Sequence, residues 1–387
     1  MSTAKGHLMR TEDCQLEDLL AILADETDPA DYPLAERVVA GVLIYGADAL
    51  RRAAATDPHA VEAELARAWA DGPGIVVIEG AFDPTVVDRA TAVFERIIAA
   101  EKVGGGPSGD HFGKPGANDR VWNCLEKHAV LDPESFVDYY ANDLVALAAR
   151  AWLGPGYQVT AQVNLVHPGG AAQTVHRDYH LGFMDAAQAA RYPAHVHSLC
   201  ASLTLQGAVA HCDMPVESGP TLYLPHSQKY SHGYLAYWLP QFQEYFVATH
   251  IQLPLRKGDL VFFNPALLHA AGSNVSPDID RMANLLQINS AFGRAMEAVD
   301  RRRVVAAVYP VLVARQRAGW SSTALDTVIA ASAEGYPFPT NLDRDQPVAS
   351  MTPPTQADLV RASLAERASV AELQERLSVQ ALSKLSH

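Results

Sequence analysis

Cysteine is scarce and scattered: Cys14, Cys124, Cys200 and Cys212 stand far apart, with no C-x-x-C pair. That excludes a disulfide scaffold and a thiolate zinc site, and suits a reducing cytoplasm. Positive charge is also in deficit. Against 44 Asp and Glu there are only 30 Lys and Arg, a formal net charge of −14, which argues against nucleic acid or an anionic membrane as the main partner. Long apolar runs are missing. The longest, between Val38 and Leu50, is broken by Gly41, Tyr45, Gly46 and Asp48 and is too short and polar to span a bilayer. The stretch from Met1 to Glu17 is polar and has no apolar h-region, so no signal peptide is expected. No internal repeat is found. What remains, 49% hydrophobic and 19% charged over 387 residues, describes a folded chain rather than a disordered one, with length for one large domain or two modest ones.

The pattern changes along the chain. Residues 1–72 read as a helical extension: Leu16, Leu19, Leu20 and Leu23 recur at helix spacing, as do Leu34, Val38, Val42 and Tyr45, and 60–70 reads as a further helix stopped by Asp71-Gly72-Pro73-Gly74. Gly74-Ile-Val-Val-Ile-Glu-Gly80 is then a compact apolar strand, followed by an amphipathic helix over 84–100. Asp132-Pro133 opens a helix whose buried stripe is Phe136, Tyr140, Leu144 and Leu147, closed by Gly154-Pro155-Gly156. From 157 to 292 strands separated by turns dominate, over 158–166, 174–180, 196–205, 221–224, 258–263 and 284–290. Helix returns after Arg294, with a Pro-rich arm over 337–354 and a capping box at Ser369 and Glu372 ahead of Val370, Leu373, Leu377 and Ala381. The expected architecture is mainly β with helical flanks: a double-stranded β-helix (jelly roll, cupin-like) core over 73–295, with a C-terminal helical extension over 296–387. Both flanks are expected to brace the sheet or to make a homo-oligomer contact.

The chemistry concentrates in Gln173-Thr-Val-His-Arg-Asp-Tyr-His180. In an extended strand alternate side chains share a face, so His176 and Asp178 can reach one metal ion. His269, at the end of Gly258-Asp-Leu-Val-Phe-Phe-Asn-Pro-Ala-Leu-Leu-His269, is the candidate third ligand. Two histidines and a carboxylate on one face, with other positions open, form the facial triad of non-heme Fe(II) oxygenases. The plain alternative is a polar pair in a strand. Zinc through His176 and His180 at i, i+4 is disfavoured, because a metalloprotease helix needs Glu where Arg177 stands.

With those residues in place the chain resembles the phytanoyl-CoA dioxygenase family of Fe(II)- and 2-oxoglutarate-dependent oxygenases. The 74–80 run resembles the family's opening strand, His176-Arg-Asp178 its H-x-D, and Glu217-Ser-Gly-Pro-Thr-Leu-Tyr-Leu-Pro-His-Ser227 its E-N-G-P…P-G-S-H turn. His269 and Arg281 match the distal ligand and the co-substrate arginine, and the resemblance covers about residues 74 to 292. His226 and Gln228 depart from the turn. Ala271 stands where a hydroxyl residue is usual, a role Ser273 can take from a longer loop.

The resemblance implies a small-molecule hydroxylase: an aliphatic C–H oxidised at the expense of 2-oxoglutarate and O2, with release of succinate and CO2. It assigns Fe(II) to His176, Asp178 and His269, and the distal carboxylate of 2-oxoglutarate to Arg281, whose guanidinium fork suits a carboxylate. Asp178 in place of a small residue sets the chain apart from the related halogenases. Gln162 and Asn164 share a strand face that can touch the co-substrate. His180 falls on the ligand face if its strand runs on, as a substrate-facing or ligand-supporting group. The glycine-rich 104–116 stretch, with His111, Phe112 and Lys114 and beside them Arg120 and Trp122, has the composition of a loop that closes over substrate. Two other readings stay open: a non-catalytic cupin-like metal or small-molecule binding protein, and an O2-independent metal-dependent isomerase or lyase on the same fold.

Overall fold

Short apolar runs, some of them alternating with polar residues, build the molecule's central sheet. The computed structural model describes residues 8–104, 117–347 and 350–387. Its strands are β1 (Arg37–Val39), β2 (Val42–Gly46), β3 (Ile75–Glu79), β4 (Asn118–Val121), β5 (Gln158–Val166), β6 (Thr204–Ala210), β7 (Leu222–Leu224), β8 (Ile251–Gln252), β9 (Leu260–Phe263), β10 (Leu268–Ala270) and β11 (Arg281–Asn289). Eight of them form one sheet in the order β1-β2-β3-β9-β6-β11-β5-β4, and β10-β7-β8 form a small second sheet.

The inner strands of the large sheet offer one side to helices and the other to the space between the sheets. On β5, Val159, Ala161 and Val163 join the main apolar core with Val76 and Ile78 of β3 and with helices that include Pro84–Val103, Asp143–Leu153 and Arg301–Arg317. The opposite face of β3 and β9, Ile75, Val77, Val261 and Phe263, packs with Tyr223 of the small sheet and with Leu253. The polar members of the β5 alternation, Gln162 and Asn164, therefore face the interior cleft rather than the helices. Register carries this face across the sheet, with Gln162 opposite Leu285, Gln206 opposite both Gln287 and Phe263, and Ala208 opposite Leu285 and Val261.

Three helices begin at Asp-Pro pairs, the one at Asp132-Pro133 as expected from the sequence. The side chains of Asp57, Asp83 and Asp132 each accept from a first-turn N–H while proline occupies the first helical position, a cap worth about 1 kcal/mol. The capping box at Ser369 and Glu372 forms, and Leu373 and Leu377 are buried behind it.

Other expectations need correction. With 47% of residues helical, this is a mixed sheet-and-helix molecule and not a mainly β one. The segment 34–45 is not a helix but the β1–β2 hairpin, because Ala40 and Gly41 both take positive φ and close a two-residue turn. β2 then pairs in parallel with β3, so the hairpin belongs to the central sheet. Residues 196–205 split into a helix, Ala194–Ser202, starting after Pro193, and the first residues of β6. The helix expected after Asp132 is two, Pro133–Tyr140 and Asp143–Leu153, the second capped by Asn142. Finally, the strand expected over 174–180 is an extended stretch over 174–178 with a single bridge, between His176 and His269, and the chain turns at Tyr179 and His180.

Candidate metal centre

That bridge is what brings the distant histidines together. His176 N–H donates to the carbonyl of His269 at 3.0 Å and His269 N–H returns to that of His176 at 3.2 Å, so the two residues sit directly opposite each other. Their rings lie 4.5 Å apart, centroid to centroid. Two residues further along the same side, Asp178 is held by its own N–H donating to the Pro265 carbonyl. Each imidazole Nδ1 lies 2.8 Å from a carbonyl two residues back, Thr174 for His176 and Leu267 for His269. A ring nitrogen facing a carbonyl must carry the proton, which leaves both Nε2 lone pairs for a metal.

The lone pairs converge on the carboxylate. His176 Nε2 lies 3.7 Å from Asp178 Oδ1, and His269 Nε2 lies 3.4 Å from Asp178 Oδ2. Two metal–ligand bonds of about 2.1 Å bridge at most about 4.2 Å, and both distances fall within it. One ligand atom from each of the three residues fits within a mutual span of 4.8 Å, and no other such group of metal-binding side chains occurs among the described residues. Burial alone raises the Asp178 carboxyl, but His176, His269 and the Gln206 amide outweigh it and hold it below the usual carboxylate range. The donor set is two imidazoles and an ionised carboxylate with no thiolate, which fits Fe(II).

Two residues that support this cluster were not picked out from the sequence. Gln206, on β6, donates through Nε2 to Asp178 Oδ2 at 2.6 Å, fixing the carboxylate's tilt. Arg177, between two ligands in the chain, points away from them and is only 2% exposed. Its Nη2 donates to the carbonyls of Ser227 (2.6 Å) and Tyr230 (3.0 Å), and its guanidinium lies over the Tyr234 ring at 5.3 Å. Gly233 passes against that guanidinium so closely that a Cβ there would fall 1.8 Å from Cζ. The ligand segment is thereby pinned from behind to the 227–234 loop.

The cluster opens into a cavity of about 520 Å³ between the two sheets. Gln162, Asn164, Arg120, Trp122 and Arg281 all line it, as do the ligands. Arg281 is buried, its Nη1 3.4 Å from the Gly272 carbonyl, and burial lowers its pKa to about 10, which leaves it charged at neutral pH. Arg120 donates to the Gln162 side-chain oxygen and lies 4.9 Å from the Trp122 ring. Ser273 is not part of the lining: its Oγ accepts from Ala172 N–H at 2.9 Å and ties two loops together. His180 also stays outside the cavity. Tyr179 and His180 take φ of 66° and 48°, and the short 3₁₀ turn His180–Phe183 follows, so the ligand face does not continue past Asp178. His111, Phe112 and Lys114 lie outside the described residues. The cavity also takes side chains that sequence reasoning passed over: Gln206 and Gln287 near the ligands, and Phe183, Tyr237, Trp238 and Met296. An alternating pattern marks Gln206 and Gln287 as one face of a sheet, and nothing in the sequence says that the face is a cavity wall.

The family model for phytanoyl-CoA dioxygenase matches residues 70–283, more than half of the chain. No curated protein matches the sequence. Among solved structures the chain is similar to the non-heme alpha-ketoglutarate-dependent epimerase SnoN from nogalamycin biosynthesis, at 22% identity and a TM-score of 0.40, covering 61% of this chain and 84% of that one. It is also similar to HygX from Streptomyces hygroscopicus, solved with nickel, 2-oxoglutarate and hygromycin B bound, at 16% identity and a TM-score of 0.41 (59% and 88% covered). A third is the non-heme alpha-ketoglutarate-dependent carbocyclase SnoK from nogalamycin biosynthesis, at 19% identity and a TM-score of 0.42 (58% and 83% covered).

Proposed function

The chain belongs to the phytanoyl-CoA dioxygenase family, and from that premise we propose that it is an Fe(II)- and 2-oxoglutarate-dependent oxygenase that hydroxylates an aliphatic C–H of a small molecule. The observation that carries this reading is the pair of imidazoles with Nδ1 tied to carbonyls and Nε2 turned to the Asp178 carboxylate, at the wall of a cavity that also holds a buried arginine.

His176, Asp178 and His269 would hold a ferrous ion, which with 2-oxoglutarate and O2 would supply the oxidant for C–H hydroxylation, succinate and CO2 being the co-products. Arg281 grips the distal carboxylate of 2-oxoglutarate, and its burial strengthens that pairing. Gln162 and Asn164 lie on the strand beside Arg281 and orient the same molecule, since β5 pairs with β11 along its whole length. Gln206 keeps the Asp178 carboxylate in position for the metal. The apolar wall of Ile75, Val77, Val261 and Phe263 keeps that side of the cavity dry.

The test is an anaerobic titration with Fe(II), then 2-oxoglutarate, followed by exposure to O2. A weak visible charge-transfer band on adding 2-oxoglutarate, then succinate on adding O2, are the expected results. His176→Ala, Asp178→Ala and His269→Ala each lose both. A wild-type protein that gives no band is a binding protein, and turnover without succinate release makes it an isomerase or lyase.

A further inference from the structure

Asp178 fixes the Gln206 amide. Nε2 must donate to the carboxylate, because turning the amide over would set oxygen against oxygen. The carbonyl oxygen is thereby committed to the other side, buried and without a hydrogen-bond partner among the described residues. Gln287 stands directly opposite Gln206 on β11, and its Oε1 is likewise buried and without a partner among the described residues. Gln206 is 3% exposed and Gln287 6%, and both line the cavity. Buried acceptors of this kind are rare in folded proteins, and leaving them unpaired is costly.

The rest of the lining narrows what answers them. Among the described residues, the cavity's charged side chains apart from the three ligand residues are Arg281 and Arg120, with no lysine or glutamate. At its solvent-reached edge stand Phe183, Trp238 and Met296, which are 57%, 48% and 36% exposed. We propose that the side-chain oxygens of Gln206 and Gln287 recognise the primary substrate, an uncharged molecule carrying hydroxyl or N–H donors on a body with an apolar face. This rests on the oxygenase reading above and names its substrate class. The two oxygens accept the donors beside the metal, while the apolar face leans on Phe183 and Trp238. A carboxylate or phosphate at the same place would face the Gln206 oxygen, an acceptor whose orientation the Asp178 contact fixes.

Phenyl glucoside and phenyl glucuronide probe the idea, since they differ only by a carboxylate in place of a hydroxymethyl group. Full-length protein loaded anaerobically with Fe(II) and 2-oxoglutarate is titrated calorimetrically with each. The visible band on loading reports separately on the co-substrate reading, so its absence refutes that reading and not merely this one. With the band present, the glucoside is expected to bind at least tenfold more tightly than the glucuronide. Gln287→Leu, which leaves the Asp178 contact in place, weakens the glucoside by about tenfold, the size of one hydrogen bond. Gln206→Leu does the same. Equal or tighter binding of the glucuronide overturns the proposal. So does a glucoside that fails to bind the loaded protein, or one that binds both variants as it binds the wild type.

Discussion

Replacing Arg177 by methionine keeps an unbranched apolar stem and removes the guanidinium with its charge, which isolates what that group contributes behind the metal ligands. Two charge-assisted bonds, to the carbonyls of Ser227 and Tyr230, are worth about 4 kcal/mol together, and the Tyr234 contact about 1 kcal/mol more. Against that stands the cost of burying the ion. Burial lowers the Arg177 pKa to about 10, a penalty of about 3 kcal/mol at about 1.4 kcal/mol per tenfold change in proton affinity. The net expectation is a loss of about 2 kcal/mol in unfolding free energy, measured by urea denaturation. Because the residue sits between His176 and Asp178, Fe(II) affinity should also fall, by about tenfold to a hundredfold. Gly233→Ala supplies the second arm of a double-mutant cycle. Its methyl would occupy the guanidinium's position, so alone it should cost about as much as Arg177→Met, by breaking the same bonds. In the Arg177→Met background the space is free, and alanine should cost less than about 0.5 kcal/mol. Equal costs of Gly233→Ala in both backgrounds would refute the reasoning, because the methyl would then be acting on something other than the arginine.

Arg281→Ala should raise the KM for 2-oxoglutarate at least about thirtyfold, the low end for removing one partner of a buried charge pair. Arg281→Lys should recover only part of that loss, and an unchanged KM in the alanine variant moves the anchor elsewhere. Ser273→Ala should leave the same KM unaltered, since the hydroxyl is engaged by Ala172 N–H; a rise like that of Arg281→Ala would place it in the co-substrate site. Burial lowers the pKa of His128 and of His211 to about 3. A depressed folded value means that the unfolded chain takes up the proton, so the stability these rings contribute is present above pH 6.5 and is lost as pH falls toward 3. The expected loss is about 2 kcal/mol per histidine between pH 6.5 and pH 5. His211→Asn should make the urea midpoint less steep with pH over that window, and an unchanged slope refutes the assignment.

The metal cluster was legible because its chemistry survives ignorance of the fold. Two side chains two residues apart share a side of any extended segment, and 174–178 is extended even though it is not a regular strand. Arg281 was singled out by the family resemblance, and the structure places it, buried, in the lining of the same cavity. What was not legible depended on backbone detail or on distant partners. The turn of the chain at Tyr179 and His180 uses positive φ at two residues with side chains, and neither is a glycine that would have marked it. Leu34, Val38, Val42 and Tyr45 fit a helix period, and only the Ala40-Gly41 turn decides for a hairpin. Residues 196–205 read as a strand, yet a helix over Ala194–Ser202 starts after Pro193. Gln206 looks like any polar residue in an apolar strand. Its importance comes from Asp178, which the fold brings to it across the cleft.

The β1–β2 hairpin has a bearing on how little of this protein can stand alone. A fragment trimmed to 70–283 would keep the three ligands and Arg281 but lose both hairpin strands and the helix Arg301–Arg317. Ile75-Val-Val-Ile-Glu79 would then present a bare row of amide and carbonyl groups on an apolar ribbon, an invitation to pair with a neighbouring molecule. Such a fragment should therefore precipitate rather than work as a smaller enzyme, and the residues outside the shared span act as a guard against self-association.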